Sequence, residues 1–312
     1  MGDELPPGHA ARLSRLSAAL QTLVDKPDEN ATSTFFALWW LAAGHRVSAV
    51  AAKRARPPAL DRRGLEQLDD LINRRLSGEP LAHITARQWF SGLEMLVGPE
   101  ALVPRRETEL LTTTGIELAR AIVAARGQVN VADACTGCGN VALSIAAHVP
   151  LAHVFAADLS EASIALATLN AEHLGLSHRV EFTAGDLVEP FFPHAGRIDV
   201  LTCNPPYIST AKVGDMATEI SEHEPSMAFD GGPLGVNLLL RLIEDAPKVL
   251  AHGGWLTFEV GQGQGPGFMR RLVRNDNYSV VRSVEDSDAT VRVICARVRR
   301  ADAGQGRKSP LS

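Results

Sequence analysis

Cysteine is scarce. Four in 312 residues are too few for a disulfide scaffold, and a reduced compartment is expected. Long apolar runs are missing too: the strongest, FFALWWLAAG from Phe35 to Gly44, has ten residues, against the roughly 20 that a membrane-spanning helix needs. The opening MGDELPPGHA lacks a basic segment followed by an apolar one, so no secretory signal is expected. Pro6 stands where a myristoylation signal wants Ser or Thr. A cytoplasmic protein without membrane attachment is the simplest expectation. The ten histidines show no metal-ligand spacing, so no metal is expected. No excess of basic charge exists either. The net charge of −5 with 45% apolar residues argues against a generic nucleic-acid coat protein and against a disordered chain.

The chain has about twice the ~150 residues of one domain, and its texture changes along its length. Residues 10–76 read as helical. Leu13, Leu16 and Leu20 recur at helical spacing, as do Leu60, Leu65, Leu68, Leu71, Ile72 and Leu76. Packing accounts for these stripes; a docking role for Trp39 and Trp40 is the sharper alternative. Basic residues gather between Arg46 and Arg75, eight against four acids. ITARQWFSGLEMLVGPEALVP follows, and its Ser91-Gly92 step between apolar stretches predicts a β-hairpin. From Val129 strands and helices alternate: VNVADAC, HVFAADL, RVEFTAGD, RIDVLTCN and GWLTFEV as strands, then YSVVRSVED and TVRVICARV close together. Alternation predicts an α/β, doubly wound parallel sheet. The last two of the seven strands have room only for a turn and so form an antiparallel pair. The expected organisation is a helical domain over 1–76, a hairpin linker over 77–107, a ligand-binding domain over 108–298 and a disordered tail over 299–312.

VADACTGCGN puts Gly137 and Gly139 between a strand and a helix, where an open parallel sheet binds ligands. Asp158, ending the second strand, can accept from two ribose hydroxyls. Asp186 ends the third, beside an adenine edge, with Leu187 on the ring. Gly137-x-Gly139-x-x-Ala142 also fits a loose dinucleotide fingerprint, which leaves a nicotinamide enzyme open. Asp133 in the first strand tips the reading towards a cationic ligand such as S-adenosylmethionine. The fourth strand ends in Asn204-Pro205-Pro206-Tyr207. Two prolines remove two donors and stiffen the chain. The Asn204 side-chain oxygen and the Pro205 carbonyl can then each take one hydrogen of a planar –NH2 group, with Tyr207 on its face. That arrangement orients the nitrogen for in-line displacement and stabilises the charge developing on it.

These motifs resemble the release-factor glutamine methyltransferases (the HemK/PrmC family). GEPLAHITARQWFSGLEMLVGPEALVPRRETELL, NPPYIS, EHEPSMAFDGGPLGVNLLLRLI and GGWLTFEVGQGQ extend the resemblance from about Leu76 to Arg297. It implies a Rossmann-like class I methyltransferase fold, S-adenosylmethionine as methyl donor, and the Gln amide of a Gly-Gly-Gln loop as acceptor. By position, Cys135, Thr136, Gly137, Cys138 and Gly139 would form the donor loop with Asp133. Asp158 would hold the ribose, and Asp186 and Leu187 would face the adenine. Asn204, Pro205, Pro206 and Tyr207 would hold the acceptor, and residues 104–109 would close over the donor. The chain departs from the family pattern where Cys135 replaces a Gly, Cys138 a Ser, Arg106 a Pro, His83 a Tyr and Ala86 a Gly.

Alternatives stay open. The acceptor could be a small molecule, such as a free amino acid, an amide or a guanidine. Nucleic acid is disfavoured, because residues 127–312 carry 15 basic against 21 acidic side chains. Asp215, Glu219, Glu222, Glu224 and Asp230 follow the acceptor motif, either as a solvated loop or as a lip for cations, with Glu222 and Glu224 as candidate substrate contacts. Cys135-x-x-Cys138 without a second pair is a poor zinc site. The first and fourth strands are expected to be neighbours, which would bring Cys203 beside Cys135.

Overall fold

The computed structural model describes residues 9–23, 26–207, 224–225 and 236–299. Its helical beginning comprises α1 (His9–Ala19), α2 (Ala31–Ala42), α3 (Ala49–Ala52), α4 (Arg62–Leu76) and α5 (Leu81–Thr85). Polar caps fix where α2, α3 and α4 start. Asn30 accepts from the Ser33 amide, Ser48 from Ala51 and Asp61 from Gly64, which satisfies otherwise orphaned donors. Leu16, Phe35, Leu38, Trp39, Leu68 and Ile72 form one core between them. Trp39 is buried and donates its indole hydrogen to the Pro58 carbonyl. Trp40 is half-buried and donates to Ala52. Packing therefore accounts for both tryptophans.

The hairpin pairs β1 (Arg87–Phe90) with β2 (Leu93–Leu96). Ser91 and Gly92 turn it with φ of 46° and 87°, the left-handed pair that matches strand twist. Asn170 is fully buried and ties the hairpin down. Its Oδ1 accepts from the Leu96 amide at 2.6 Å, and its Nδ2 donates to the carbonyls of Leu96 and Cys138, each at 3.0 Å. Glu109 accepts from the Ser91 amide, and Glu94 from the Ser48 amide. The hairpin is thus bonded to the sheet domain on one side and to the helices on the other.

A helix not anticipated by the alternation precedes it: α6 (Thr108–Arg126), closed by Gly127 at φ 81°. The elements β3 (Val129–Ala134), α7 (Asn140–His148), β4 (Ala152–Asp158), α8 (Glu161–His173), β5 (Val180–Ala184), β6 (Ile198–Cys203), α9 (Asn237–Val249), β7 (Leu250–Glu259), α10 (Gly265–Val273), β8 (Tyr278–Glu285) and β9 (Val291–Val298) follow. The seven strands lie in the order β5-β4-β3-β6-β7-β9-β8, with β9 antiparallel to both β7 and β8. β7 begins at Leu250, four residues before the strand that the sequence suggests, and takes residues expected to be helical. Strand alternation sorts side chains to two faces. Val129, Val131, Val154, Val200 and Val293 pack under α6, α7 and α8. Ala132, Ala134, Phe155, Leu201, Phe258 and Ile294 pack under α9 and α10. Strand order reverses between β3 and β6, so their carboxyl ends open a crevice. No described helix is long and apolar enough to cross a membrane.

Candidate active site

A cleft with about 1110 Å3 of empty space, solvent at its mouth included, lies at that crevice. Its floor holds Asp133, Cys135, Thr136, Gly137, Asp158 and Leu187; Asn204 and Pro206 form one wall, and Val103, Pro104, Arg105 and Thr108 another. The β3–α7 turn is the predicted donor loop. Cys135 has φ 56°, Gly137 55° and Gly139 82°, the left-handed region that costs other residues strain. At Gly139 a Cβ would stand 3.2 Å from Ala167 and 3.1 Å from Leu143, so the glycine also lets the turn approach α8.

Asp158, from the end of β4, accepts the Gly137 amide at 2.8 Å on one oxygen and the Ser160 amide at 2.9 Å on the other. Asp133 accepts the hydroxyls of Thr136 and Thr202, both at 2.6 Å. Burial pushes Asp133 up to about 6, helped by the charge of Asp158, against the pull of those hydroxyls. Burial raises Asp158 as well. Two desolvated carboxylates at one cleft are relieved by a cation, and the residues fit a ligand carrying ammonium or sulfonium charge. Asp186 lines the cleft while pairing with Arg241 of α9 at 2.7 Å. Leu187 presents its side chain from φ 51°.

Two residues of the predicted donor loop turn away from the cleft. Cys138 is buried in the core beneath α7, and burial lifts its thiol to about 12. Gly139 acts through the turn rather than at the wall. Cys135 is half-buried against the other face of the sheet, and Cys203 lies beside it. Burial, with the Cys135 thiol against it, raises Cys203 well above the ordinary range. No cluster of possible metal ligands occurs among the described residues.

At the predicted acceptor motif, Asn204 Nδ2 donates to Thr108 Oγ1 at 3.1 Å, which leaves Oδ1 to accept. Pro205 is buried and Pro206 half-buried. The Tyr207 hydroxyl donates to Glu259 at 2.9 Å, and its carbonyl accepts from Gln264 at 3.1 Å. Gly261 seats the ring: a Cβ there would come within 3.0 Å of Tyr207 Cδ2. Arg292 pairs with Glu107 at 2.9 Å and lies 3.8 Å from Glu259.

The sequence reads Glu224 either as part of a solvated acidic loop or as a lip for cations and a candidate substrate contact, and the structure corrects both readings. The Glu224 side chain is fully buried and accepts from the Val103 amide at 2.9 Å and from Arg105. Its charge is spent on the strap beside the cleft. Glu222, with Asp215, Glu219 and Asp230, lies outside the described residues. Within 104–109, Pro104, Arg105 and Thr108 line the cleft, Arg106 is exposed and Glu109 anchors the hairpin. Sequence reasoning did not single out Glu107, Glu259, Arg292 or Thr202. The available signal was a charged residue inside an apolar strand, Glu259 in GWLTFEV and Arg292 in TVRVICARV.

Residues 114–235 match the family model described as Methyltransferase small domain. The chain is 34% identical over 230 residues to the release factor glutamine methyltransferase of Gloeobacter violaceus, covering 73% of this chain and 78% of that one. It is 32% identical to that of Bacillus subtilis, covering 72% and 77%. Among solved structures, the hMettl16 catalytic domain in complex with a MAT2A 3′UTR hairpin aligns over 96% of this chain and 95% of its own, with TM-score 0.53 and 14% identity, a likeness of fold alone. The sheet order, the cleft at its switch point and these relatives together place the chain in the release factor glutamine methyltransferase family.

Proposed function

We propose that this enzyme transfers a methyl group to the side-chain amide nitrogen of Gln in the Gly-Gly-Gln loop of a peptide-chain release factor. The observation that carries this reading is the Asn204 side chain, fixed by Thr108 so that its Oδ1 is free at the cleft wall beside Pro206. S-adenosylmethionine supplies an electrophilic methyl group on a sulfonium when bound. Asp133, Thr136, Gly137, Asp158, Asp186 and Leu187 would hold it, with Cys135 shaping the turn. Asp133 and Asp158 offset its positive charge, and Leu187 gives an apolar surface for the adenine.

The acceptor amide needs orientation more than a base, because its lone pair is delocalised into the carbonyl. Asn204 Oδ1 and the Pro205 carbonyl would take its two hydrogens. Accepting both hydrogens turns the nitrogen towards the donor and stabilises the charge that develops on it. Tyr207 would cover its face. The proton is acidic once the nitrogen is alkylated and can leave to water. Asn204→Ala tests the assignment: methyl transfer falls by about 10²-fold or more, while donor affinity measured by calorimetry stays within a few-fold. A loss of donor binding as large as the loss of transfer would show that Asn204 serves the donor instead.

A further inference from the structure

β7 runs into α10 through the corner EVGQGQ, Glu259 to Gln264. None of these residues lines the cleft, yet three of them hold Tyr207. Glu259 is fully buried, and its Oε1 receives the Tyr207 hydroxyl at 2.9 Å. Gly261 lies against the ring, where a Cβ would stand 3.0 Å from Tyr207 Cδ2. Gln264 donates from Nε2 to the Tyr207 carbonyl at 3.1 Å, while its Oε1 accepts the Gly261 amide at 2.9 Å. We propose that Glu259, Gly261 and Gln264 are positioning residues for methyl transfer, which together fix the Tyr207 ring where it covers the acceptor amide. This rests on the reading that Tyr207 covers that amide.

Tyr207 needs such an anchor because its own strand has ended. β6 stops at Cys203, and Pro205 and Pro206 carry no amide hydrogen with which to continue a ladder. The hold comes from the neighbouring strand end instead. A tyrosine side chain turns about two bonds, and its hydroxyl lies on the axis of the second. The hydrogen bond to Glu259 therefore stops the ring from swinging about the first bond but leaves it free to spin about the second. Gly261, packed on the ring edge, stops the spin. The Gln264 bond fixes the backbone from which both rotations start. Each residue removes a different freedom, and a ring displaced by about 1 Å would leave the acceptor nitrogen misaligned.

The surrounding charges serve the same bond. A carboxylate buried at the end of an apolar strand is costly, and the backbone pairing of β7 with β6 and β9 makes no use of its side chain. Among the described residues Tyr207 is its hydrogen-bond donor, since Oε2 has none. Arg292, from β9, stands 2.9 Å from Glu107 and 3.8 Å from Glu259 and so compensates both acids. Glu107 also lies 3.4 Å from the Tyr207 hydroxyl, but a phenol has one hydrogen to give, and the shorter contact to Glu259 takes it. Burial, Glu259 and Glu107 raise the Tyr207 pKa well above its ordinary value, so the hydroxyl keeps that hydrogen to donate.

The test measures kcat and KM for methylation of a release factor, with donor affinity by calorimetry and folding by circular dichroism. Tyr207→Phe keeps the ring and removes its anchor. Glu259→Met removes the acceptor and fills its place, while Arg292 keeps Glu107. Each is expected to lower kcat by between roughly tenfold and a hundredfold, more than it raises KM, with donor affinity within a few-fold of wild type. The double variant should be no slower than the slower single one, because both changes break the same bond. Losses that multiply in the double variant, or an unchanged kcat in Tyr207→Phe, overturn the proposal alone. Gly261→Ala decides the matter if Glu259→Met does not fold. It should lower kcat by roughly tenfold with Tyr207 present and make no further difference in Tyr207→Ala; an equal loss in both backgrounds overturns the proposal. Absence of transfer to the release factor by the unaltered enzyme overturns the acceptor reading and this proposal with it.

Discussion

Glu224→Gln is the sharpest perturbation of the cleft, because it changes one charge and almost no volume. Glu224 and Arg105 are 0% and 6% exposed as side chains, so neither can turn to water. Removing one partner of such a pair leaves an uncompensated buried charge and typically costs about 3–5 kcal/mol. The glutamine keeps an oxygen for the Val103 amide and removes the negative charge that Arg105 meets. That cost falls on the strap of Val103, Pro104 and Arg105, which with Pro225 lines the cleft. The cheapest response is for the strap to lift while the sheet stays folded. Since about 1.4 kcal/mol is a tenfold change, a loss of about 3 kcal/mol on the strap would weaken donor binding by on the order of a hundredfold. Calorimetric titration with S-adenosylmethionine reads this, alongside a thermal melt that should move little. A matched pair, Arg105→Met with Glu224→Met, removes both charges and should recover much of the affinity. Donor affinity within twofold of wild type in Glu224→Gln would refute the reasoning.

Ala86 closes α5 at φ 54°, so Ala86→Gly should relieve about 1–2 kcal/mol of left-handed strain against a glycine entropy cost of about 0.5–1 kcal/mol. A net gain of several tenths of a kcal/mol or more is expected in denaturant titrations; a loss would show that the strain is absent. Asp133→Asn tests the buried acid. The folded protein holds this proton up to about 6 against an ordinary 3.8, so its penalty is absent below about pH 4 and complete above pH 6. The variant should therefore be more stable than wild type near pH 8, by up to roughly 3 kcal/mol, and no more stable near pH 4. It should also bind the cationic donor less tightly, and equal affinity would remove Asp133 from the charge argument.

The sheet was legible because its strands are short apolar runs separated by turn residues and helical stretches. The two departures from glycine, Cys135 and Ala86, gain meaning only in three dimensions. Both stand at positive φ, where glycine is favoured and where another side chain is held by its surroundings. Glu224 was misplaced for a different reason. An acid in a run of acids reads as solvated, and nothing local discloses that Arg105, 119 residues away, meets it. Glu259 and Arg292 stayed unassigned because a lone charge in a strand has a partner only once β7 and β9 lie side by side. The Asn204-Pro205-Pro206-Tyr207 motif stands out in the sequence because its chemistry is local: two prolines and their neighbours need no distant strand to expose hydrogen-bond acceptors.

The central claim is that the nitrogen held at Asn204 belongs to a protein glutamine. The most direct measurement supplies methyl-labelled S-adenosylmethionine together with a release factor, free amino acids and DNA, and maps the label by peptide mass spectrometry. One added methyl is expected on the Gln side chain of the Gly-Gly-Gln loop, lost with Asn204→Ala. Label on a small molecule or on DNA, with the release factor left unmodified, would contradict it.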